Sequence, residues 1–185
     1  GDRYETPEGV RPCLREYLML RTRWSPYTNF FGVMFRARAL ALKGLYDDAA
    51  WAAGSLDVIE RLERCGAKFR ISGLDKVRAL TGPAVFVANH MSTFETTVLP
   101  GLIQPIRPVT YVVKEKLMKG PIWGPIMRSR DPIAVTRRDP RGDLEKVLTE
   151  GTRILGEGRS IIIFPQGTRT DLFERAKFNS LGVKL

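Results

Sequence analysis

One feature restricts what this chain can fold into more than any other: the period of its apolar residues changes after Gly66. Downstream, short runs rich in β-branched residues recur at Lys68 to Ile71, Val85 to Ala88, Val109 to Val113, Ile133 to Val135 and Ile161 to Phe164. Runs of this length and make-up read as buried strands. A helical stretch from Arg141 to Leu155, stopped by Gly156-Glu157-Gly158, separates the last two, and another helix is expected after Thr93. Strands alternating with helices give an α/β fold class, a mixed, partly parallel sheet flanked by helices. In such sheets ligands gather at the carboxyl ends of the strands.

Upstream of Gly66 the pattern is helical. Leu14, Tyr17 and Leu18 recur at helical spacing, as do Leu56, Ile59 and Leu62, so two or three amphipathic N-terminal helices are expected. The chain divides on this basis into a helical region, 1–66, and an α/β domain, 67–185. Between the helical signals, Phe30-Phe31-Gly32-Val33-Met34-Phe35-Arg36-Ala37-Arg38 interleaves aromatic and apolar residues with cations. That pattern fits a helix lying on a membrane surface, and equally one packed on the rest of the domain; the aromatic density favours the membrane.

Composition narrows the partners. Lys plus Arg number 30 against 20 Asp plus Glu, a formal charge of +10, which calls for an anionic partner: nucleic acid, a phosphorylated substrate or an acidic membrane. Cys13 and Cys65 form no C-x-x-C pair and there is one histidine, so neither a disulfide framework nor a metal site is expected. No apolar run reaches the roughly 18 residues that a spanning helix needs.

Three segments carry chemistry. The strand Val85 to Ala88 runs into Asn89-His90-Met91-Ser92-Thr93-Phe94-Glu95, which puts the single histidine at a carboxyl end with a carboxylate five residues on. Such a pair can act as a general base with its orienting partner. Ser92-x-x-Glu95 also matches a helix capping box, in which the glutamate only satisfies a backbone N–H. The second segment, Phe164-Pro165-Gln166-Gly167-Thr168-Arg169-Thr170, follows the last strand and offers a close-approach glycine, a hydroxyl and a guanidinium suited to phosphate. The third, Arg107 to Arg141, holds nine basic residues, of which Lys114, Arg137 and Arg138 lie at strand ends.

Taken in order, these motifs resemble the lysophosphatidic acid acyltransferase family, the 1-acyl-glycerol-3-phosphate acyltransferases and their relatives, over about Gly73 to Leu185. The family's Asn-His-x4-Asp stands here as Asn89-His90-x4-Glu95. Its Lys-containing strand and strand ending in Arg fall at Lys114 and Ile133 to Arg137, and its Phe-Pro-Glu-Gly-Thr-Arg at Phe164 to Arg169 with Gln166 for Glu. The resemblance implies transfer of a fatty acyl group from acyl-CoA or acyl carrier protein to the sn-2 hydroxyl of 1-acyl-glycerol 3-phosphate, without an acyl-enzyme. His90 would be the base and Glu95 its partner, with Lys114, Arg137, Gln166, Gly167, Thr168 and Arg169 binding substrate. It further implies a peripheral or monotopic enzyme on the cytoplasmic face of the membrane, with no cofactor beyond the donor, no metal and no nucleic acid. Glu95 for Asp, Gln166 for Glu, and Arg130-Asp131-Pro132 where the family has a glycine are departures. The family's fourth motif should follow Leu185, which leads to the expectation that Ile161 to Phe164 is an unpaired edge. Three rival readings are a covalent hydrolase using Ser92 or Thr93, which lacks G-x-S-x-G, a basic nucleic-acid module, and a catalytically silent lipid-binding relative.

Overall fold

A computed structural model describes residues 3–10 and 24–166, together with Arg169, Phe178 and Lys184. Its centre is a parallel sheet of β3 (Val85–Val87), β4 (Val109–Lys114), β5 (Ile133–Val135) and β6 (Ser160–Ile163). The spatial order is β3-β6-β4-β5, so the strand latest in sequence lies between the two earliest. Ile161 of β6 pairs with Val85 on one side and Thr110 on the other. This corrects the expectation of an unpaired edge at Ile161 to Phe164: β6 has a neighbour on each side, and among the described residues β3 and β5 are the edges.

Burial explains why β6 reads as an unbroken apolar run. Ile161 and Ile163 point toward a cluster with Ile133, Val147 and Ile154, whereas Ile162 points to Tyr111, Trp51 and Ile126 on the opposite face. A strand covered on both faces has no polar side to show. The first face is covered by α7 (Pro140–Gly156), whose N-cap Asp139 accepts from the backbone N–H groups of Arg141 and Gly142. Its expected stop is a left-handed Gly158, with Gly158 N donating to Leu155 O and Arg159 N to Ile154 O.

The second face is covered by α1 (Trp24–Leu42), α2 (Asp48–Arg64), α4 (Phe94–Ile103) and α6 (Trp123–Arg128); the short α3 (Leu74–Ala79) and α5 (Glu115–Lys119) are the other helices among the described residues. Leu14, Tyr17 and Leu18 lie outside the described residues. α2 segregates its faces, burying Trp51, Val58, Ile59 and Leu62. α1 departs from the expected amphipathic helix: it buries Phe30, Val33, Met34 and Ala37, yet Tyr27, Phe31 and Phe35 on its other side are 53%, 41% and 54% exposed. Helices α2 and α4 cross so closely that a Cβ on Gly101 would stand 2.8 Å from Ser55 Cβ, which only glycine allows.

Two further readings need correction. The run Lys68 to Ile71 does not join the central sheet; β2 (Arg70–Ser72) pairs antiparallel with β1 (Arg3–Glu5) in a separate ribbon. That ribbon is tied to α2 through buried Glu63, which accepts from Tyr4 Oη at 2.8 Å and Thr6 Oγ1 at 2.7 Å. Arg130, counted among the candidate anion-binding cations, is buried at the amino end of β5. It donates to Asp48 Oδ1 at 2.6 Å and to Tyr46 O, and its guanidinium lies 5.4 Å and 5.2 Å from the rings of Tyr46 and Trp51. The next residue, Asp131, takes φ 45°, the left-handed conformation that a glycine would adopt without strain. That accounts for the departure from the family glycine: an aspartate tolerates this region better than most residues, and here it also pairs with Arg159 at 3.0 Å.

Candidate active site

The loops after β3, β4, β5 and β6 meet at the carboxyl edge of the sheet, as the α/β pattern requires. His90 stands two residues beyond the last ladder bond of β3, Ala88 N to Ile163 O at 3.0 Å. The next rung is made by a side chain, His90 N donating to Gln166 Oε1. The imidazole rests against the Phe164 ring, centroids 4.8 Å apart. Its Nδ1 is 2.9 Å from Glu95 Oε1, at the first turn of α4. An ionised carboxylate can only accept, so Nδ1 carries the proton and Nε2 is the nitrogen left to take one.

Glu95 does both things that its spacing suggested. It accepts from Ser92 N at 2.7 and 3.0 Å and from Ser92 Oγ, while Ser92 Oγ accepts from Phe94 N at 3.0 Å. The capping box and the histidine partner are therefore one carboxylate, and the cap fixes where that carboxylate points. Burial pushes the Glu95 carboxyl up, but the bonds from Ser92 and His90 outweigh it and hold the group below its ordinary range. The glutamate reaches the ring from the first turn of α4.

Three cations gather opposite. Lys114 ends β4, Arg137 follows β5, and Arg169 comes from the loop after β6; all three line the cavity that His90 faces. Partial burial and then the charges of Arg137, Arg169 and Lys116 push the Lys114 ammonium below its usual range. That is the mark of positive charge gathered for an anion. Arg137 holds φ 61°, an uncommon backbone for a residue with a side chain. Asp143 stabilises that turn, accepting from Thr136 N at 2.8 Å and Arg137 N at 2.6 Å.

The cavity has a volume of about 940 Å³. From the cationic mouth it runs past His90 and becomes apolar, walled by Phe30 and Met34 of α1, Trp51 of α2, and Trp123, Ile126 and Met127 of α6. Its shape suits a molecule with a charged head and a long hydrocarbon tail.

Of the residues singled out from sequence, His90, Lys114, Arg137 and Arg169 come together on this cavity and Glu95 supports the first of them. Gln166 turns inward: its side chain is buried, absent from the cavity wall, and spent on the His90 backbone. Gly167 and Thr168 lie outside the described residues. Sequence reading passed over Phe164 as the face against His90, Asp143 as the clamp on Arg137, and the aromatic wall from α1 and α2. Phe164 left a signal in its place directly before the Pro165-Gln166 turn, and the α1 part of the wall left one in the aromatic run that begins at Phe30, which was read for membrane contact.

Residues 68–182 match the family model described as Acyltransferase. Over 120 residues the chain is 31% identical to a 1-acyl-sn-glycerol-3-phosphate acyltransferase of Pseudomonas aeruginosa, covering 65% of this chain and 45% of that protein. It is 30% identical over 103 residues to a chloroplastic 1-acyl-sn-glycerol-3-phosphate acyltransferase of Arabidopsis thaliana, covering 56% and 28%. A lyso-ornithine lipid O-acyltransferase of Rhizobium meliloti is 31% identical over 107 residues, covering 57% and 34%. The chain thus spans less than half the length of these curated relatives. No solved structure matches significantly.

Proposed function

The chain belongs to the acyltransferase family, and from that premise we propose that it moves a fatty acyl group from a thioester to the sn-2 hydroxyl of 1-acyl-glycerol 3-phosphate. The observation that carries this reading is His90, held by Glu95 behind it, lining one cavity with Lys114, Arg137 and Arg169. The acceptor phosphate binds the three cations and its hydroxyl gives a proton to His90 Nε2 as its oxygen attacks the thioester carbonyl. A C–O ester bond forms, the C–S bond breaks, and the imidazolium returns the proton to the departing thiolate. No acyl-enzyme is needed. Glu95 keeps Nε2 the accepting nitrogen and stabilises the imidazolium between the two steps. The amino terminus of α4, beside His90, favours the negative charge that develops on the carbonyl oxygen.

The same reading sets the protein on the cytoplasmic face of a membrane as a peripheral or monotopic enzyme. Among the described residues no helix is long and apolar enough to cross a membrane. Exposed Tyr27, Phe31 and Phe35, spaced by four on α1 with Arg38 nearby, supply the apolar and cationic groups that hold a helix at a lipid interface.

The names of the relatives support two acceptors, lysophosphatidate and a lyso-ornithine lipid. Three converging cations favour the acceptor with a phosphate monoester. Purified protein given radiolabelled acyl-CoA and a panel of lysolipids is expected to acylate lysophosphatidate foremost. Comparable turnover of lyso-ornithine lipid would remove the phosphate from the reading, and no turnover of any lysolipid would remove the activity.

A further inference from the structure

A cavity built only for a hydrocarbon tail would leave no polar atom in its wall in need of a partner. Three hydroxyls in this wall meet that condition: Thr96 Oγ1 donates to Thr93 O at 2.6 Å, Thr97 Oγ1 to Phe94 O at 2.9 Å and Tyr111 Oη to Thr96 O at 2.6 Å. Those of Tyr46 and Ser55 do not. Both residues line the cavity and are 6% and 4% exposed, yet among the described residues neither Oη nor Oγ has a hydrogen-bond partner. Nor are they sealed in the core, where the unpartnered side-chain atoms among the described residues are Nε of Arg107 and Arg130 and Nε2 of Gln166. The little surface that Tyr46 and Ser55 keep is therefore cavity surface, and their hydroxyls open onto it.

The two groups stand at the end of the cavity remote from the cations. Trp51, Gly54 and Ser55, at i, i+3 and i+4, turn one face of α2 to the cavity. A Cβ on Gly54 would lie 3.7 Å from Tyr46 Oη, so glycine leaves room beside that hydroxyl. The rings of Tyr46 and Trp51 flank the Arg130 guanidinium at the amino end of β5, whereas Lys114 and Arg137 stand at carboxyl ends. Ring contacts of 4.8, 6.1 and 5.7 Å lead from His90 through Phe164 and Tyr111 to Trp51, a path that a long acyl chain can follow. Burial pushes the Tyr46 phenol up to about 12 against the opposing charge of Arg130, so it stays protonated and can donate as well as accept.

We infer that Tyr46 and Ser55 form an oxygen-recognising pocket in the hydrocarbon arm, which takes a hydroxyl or keto group carried on a long acyl chain. The inference rests on the acyl-transfer reading and adds a preference for the chain to it. A run of methylenes would strip both hydroxyls of water and give nothing in return, whereas an oxygen on the chain replaces the lost bonds. The one cation behind this end, Arg130, is already answered by Asp48, so the pocket suits a neutral oxygen rather than a carboxylate. That oxygen can belong to the chain being transferred or to the chain already on the acceptor.

The test uses the full chain and isomers of hydroxypalmitoyl-CoA whose hydroxyl is moved along the chain, each compared with palmitoyl-CoA for kcat/KM. One stretch of positions is expected to be preferred about tenfold over the plain chain, and Tyr46→Phe/Ser55→Ala to bring that ratio back toward one, since each change removes an oxygen and little volume. Tyr46→Phe and Ser55→Ala alone are expected to lose part of the preference, and they decide the matter if the pair does not fold. The same comparison between hydroxypalmitoyl and palmitoyl lysophosphatidate locates the source: a preference seen there and not among the donors assigns the pocket to the acceptor's chain. No preference for a hydroxyl in either series, or a preference that the variants keep, would overturn the pocket. If wild type transfers no acyl group from any donor, the acyl-transfer reading fails, and calorimetric titration with the free hydroxypalmitate isomers decides the pocket separately. Binding tighter than that of palmitate, lost in the double variant, supports it, and equal binding ends it.

Discussion

Two arginines seven residues apart bracket β5, and the fold treats them in opposite ways. Arg130, at the amino end, is buried with its side chain only 7% exposed, bonded to Asp48 and Tyr46 O and stacked on two aromatic rings. Arg137, at the carboxyl end, sits on a left-handed backbone clamped by Asp143 and lines a cavity with Lys114 and Arg169. Arg130 has its charge answered by the protein, so it joins the loop before α2 to the sheet. Arg137 stands in a cluster where positive charge exceeds negative, and strain in its backbone is held in place by other groups. In a parallel sheet the amino ends can be closed off for stability, because the carboxyl ends carry the ligand.

If that division is real, substitutions at the two ends should separate activity from stability. The largest effect is expected at the carboxyl end: His90→Ala should lower kcat by roughly 10²–10⁴-fold while leaving the melting temperature near that of wild type, since no second imidazole exists to take the proton. Activity within a few-fold of wild type in that folded variant would end the general-base assignment. Next comes the amino end, where Arg130→Ala removes a buried guanidinium and leaves Tyr46 O without its donor. Asp48 is itself 64% exposed and rehydrates, which keeps the cost near the low end, about 3 kcal/mol by urea titration. A variant as stable as wild type would show that the stacked arginine is ornamental. A smaller change, about tenfold in the acceptor KM with stability preserved, is expected for Arg169→Ala. Loss of stability without a change in KM would place Arg169 with Arg130 instead.

The smallest effect concerns pH. The Glu95 carboxyl is held below its ordinary range, so the stability that it contributes is present above the unfolded-state value of about 4.3 and is lost as pH falls through the lower folded-state value. Wild type should therefore exceed Glu95→Gln in melting temperature near neutrality, and the gap should close in acid. A gap that persists unchanged at pH 3 would mean that the cap does not depend on charge.

Much of the fold was legible because it is written locally. The switch of period at Gly66, the strands of the central sheet and the Gly156-Glu157-Gly158 stop each involve a handful of adjacent residues. What escaped depends on partners far along the chain. Nothing in Arg70-Ile71-Ser72 says that it pairs with Arg3–Glu5 rather than with the main sheet. Nor does Arg130 differ, as a letter in a basic stretch, from Arg137; its aromatic partners lie some 80 residues upstream. At the site, the Glu95 spacing offered two meanings that local pattern could not choose between, and the geometry keeps both. Gln166 was expected to bind substrate only through the family resemblance, as the residue in place of the motif's Glu, and the packing of β3 on β6 turns it toward His90 instead.

The strand order has a consequence for the chain as it is made. β3 and β4 are separated by the space that β6 fills, so while the ribosome has yet to deliver residues 160–163 the sheet is two pieces with facing, unmet edges. Such edges are the surfaces by which nascent chains stick to one another, and they stay open here until the latest strand slots in. The same event brings Phe164 against the imidazole and Gln166 onto its backbone, 76 residues away in sequence. A nascent chain that has made only the histidine loop therefore holds an imidazole with one of its supports, Glu95, and none of the others. Assembly of the candidate site and closure of the sheet are a single step, and a chaperone that shields the gap between β3 and β4 would also delay completion of that site.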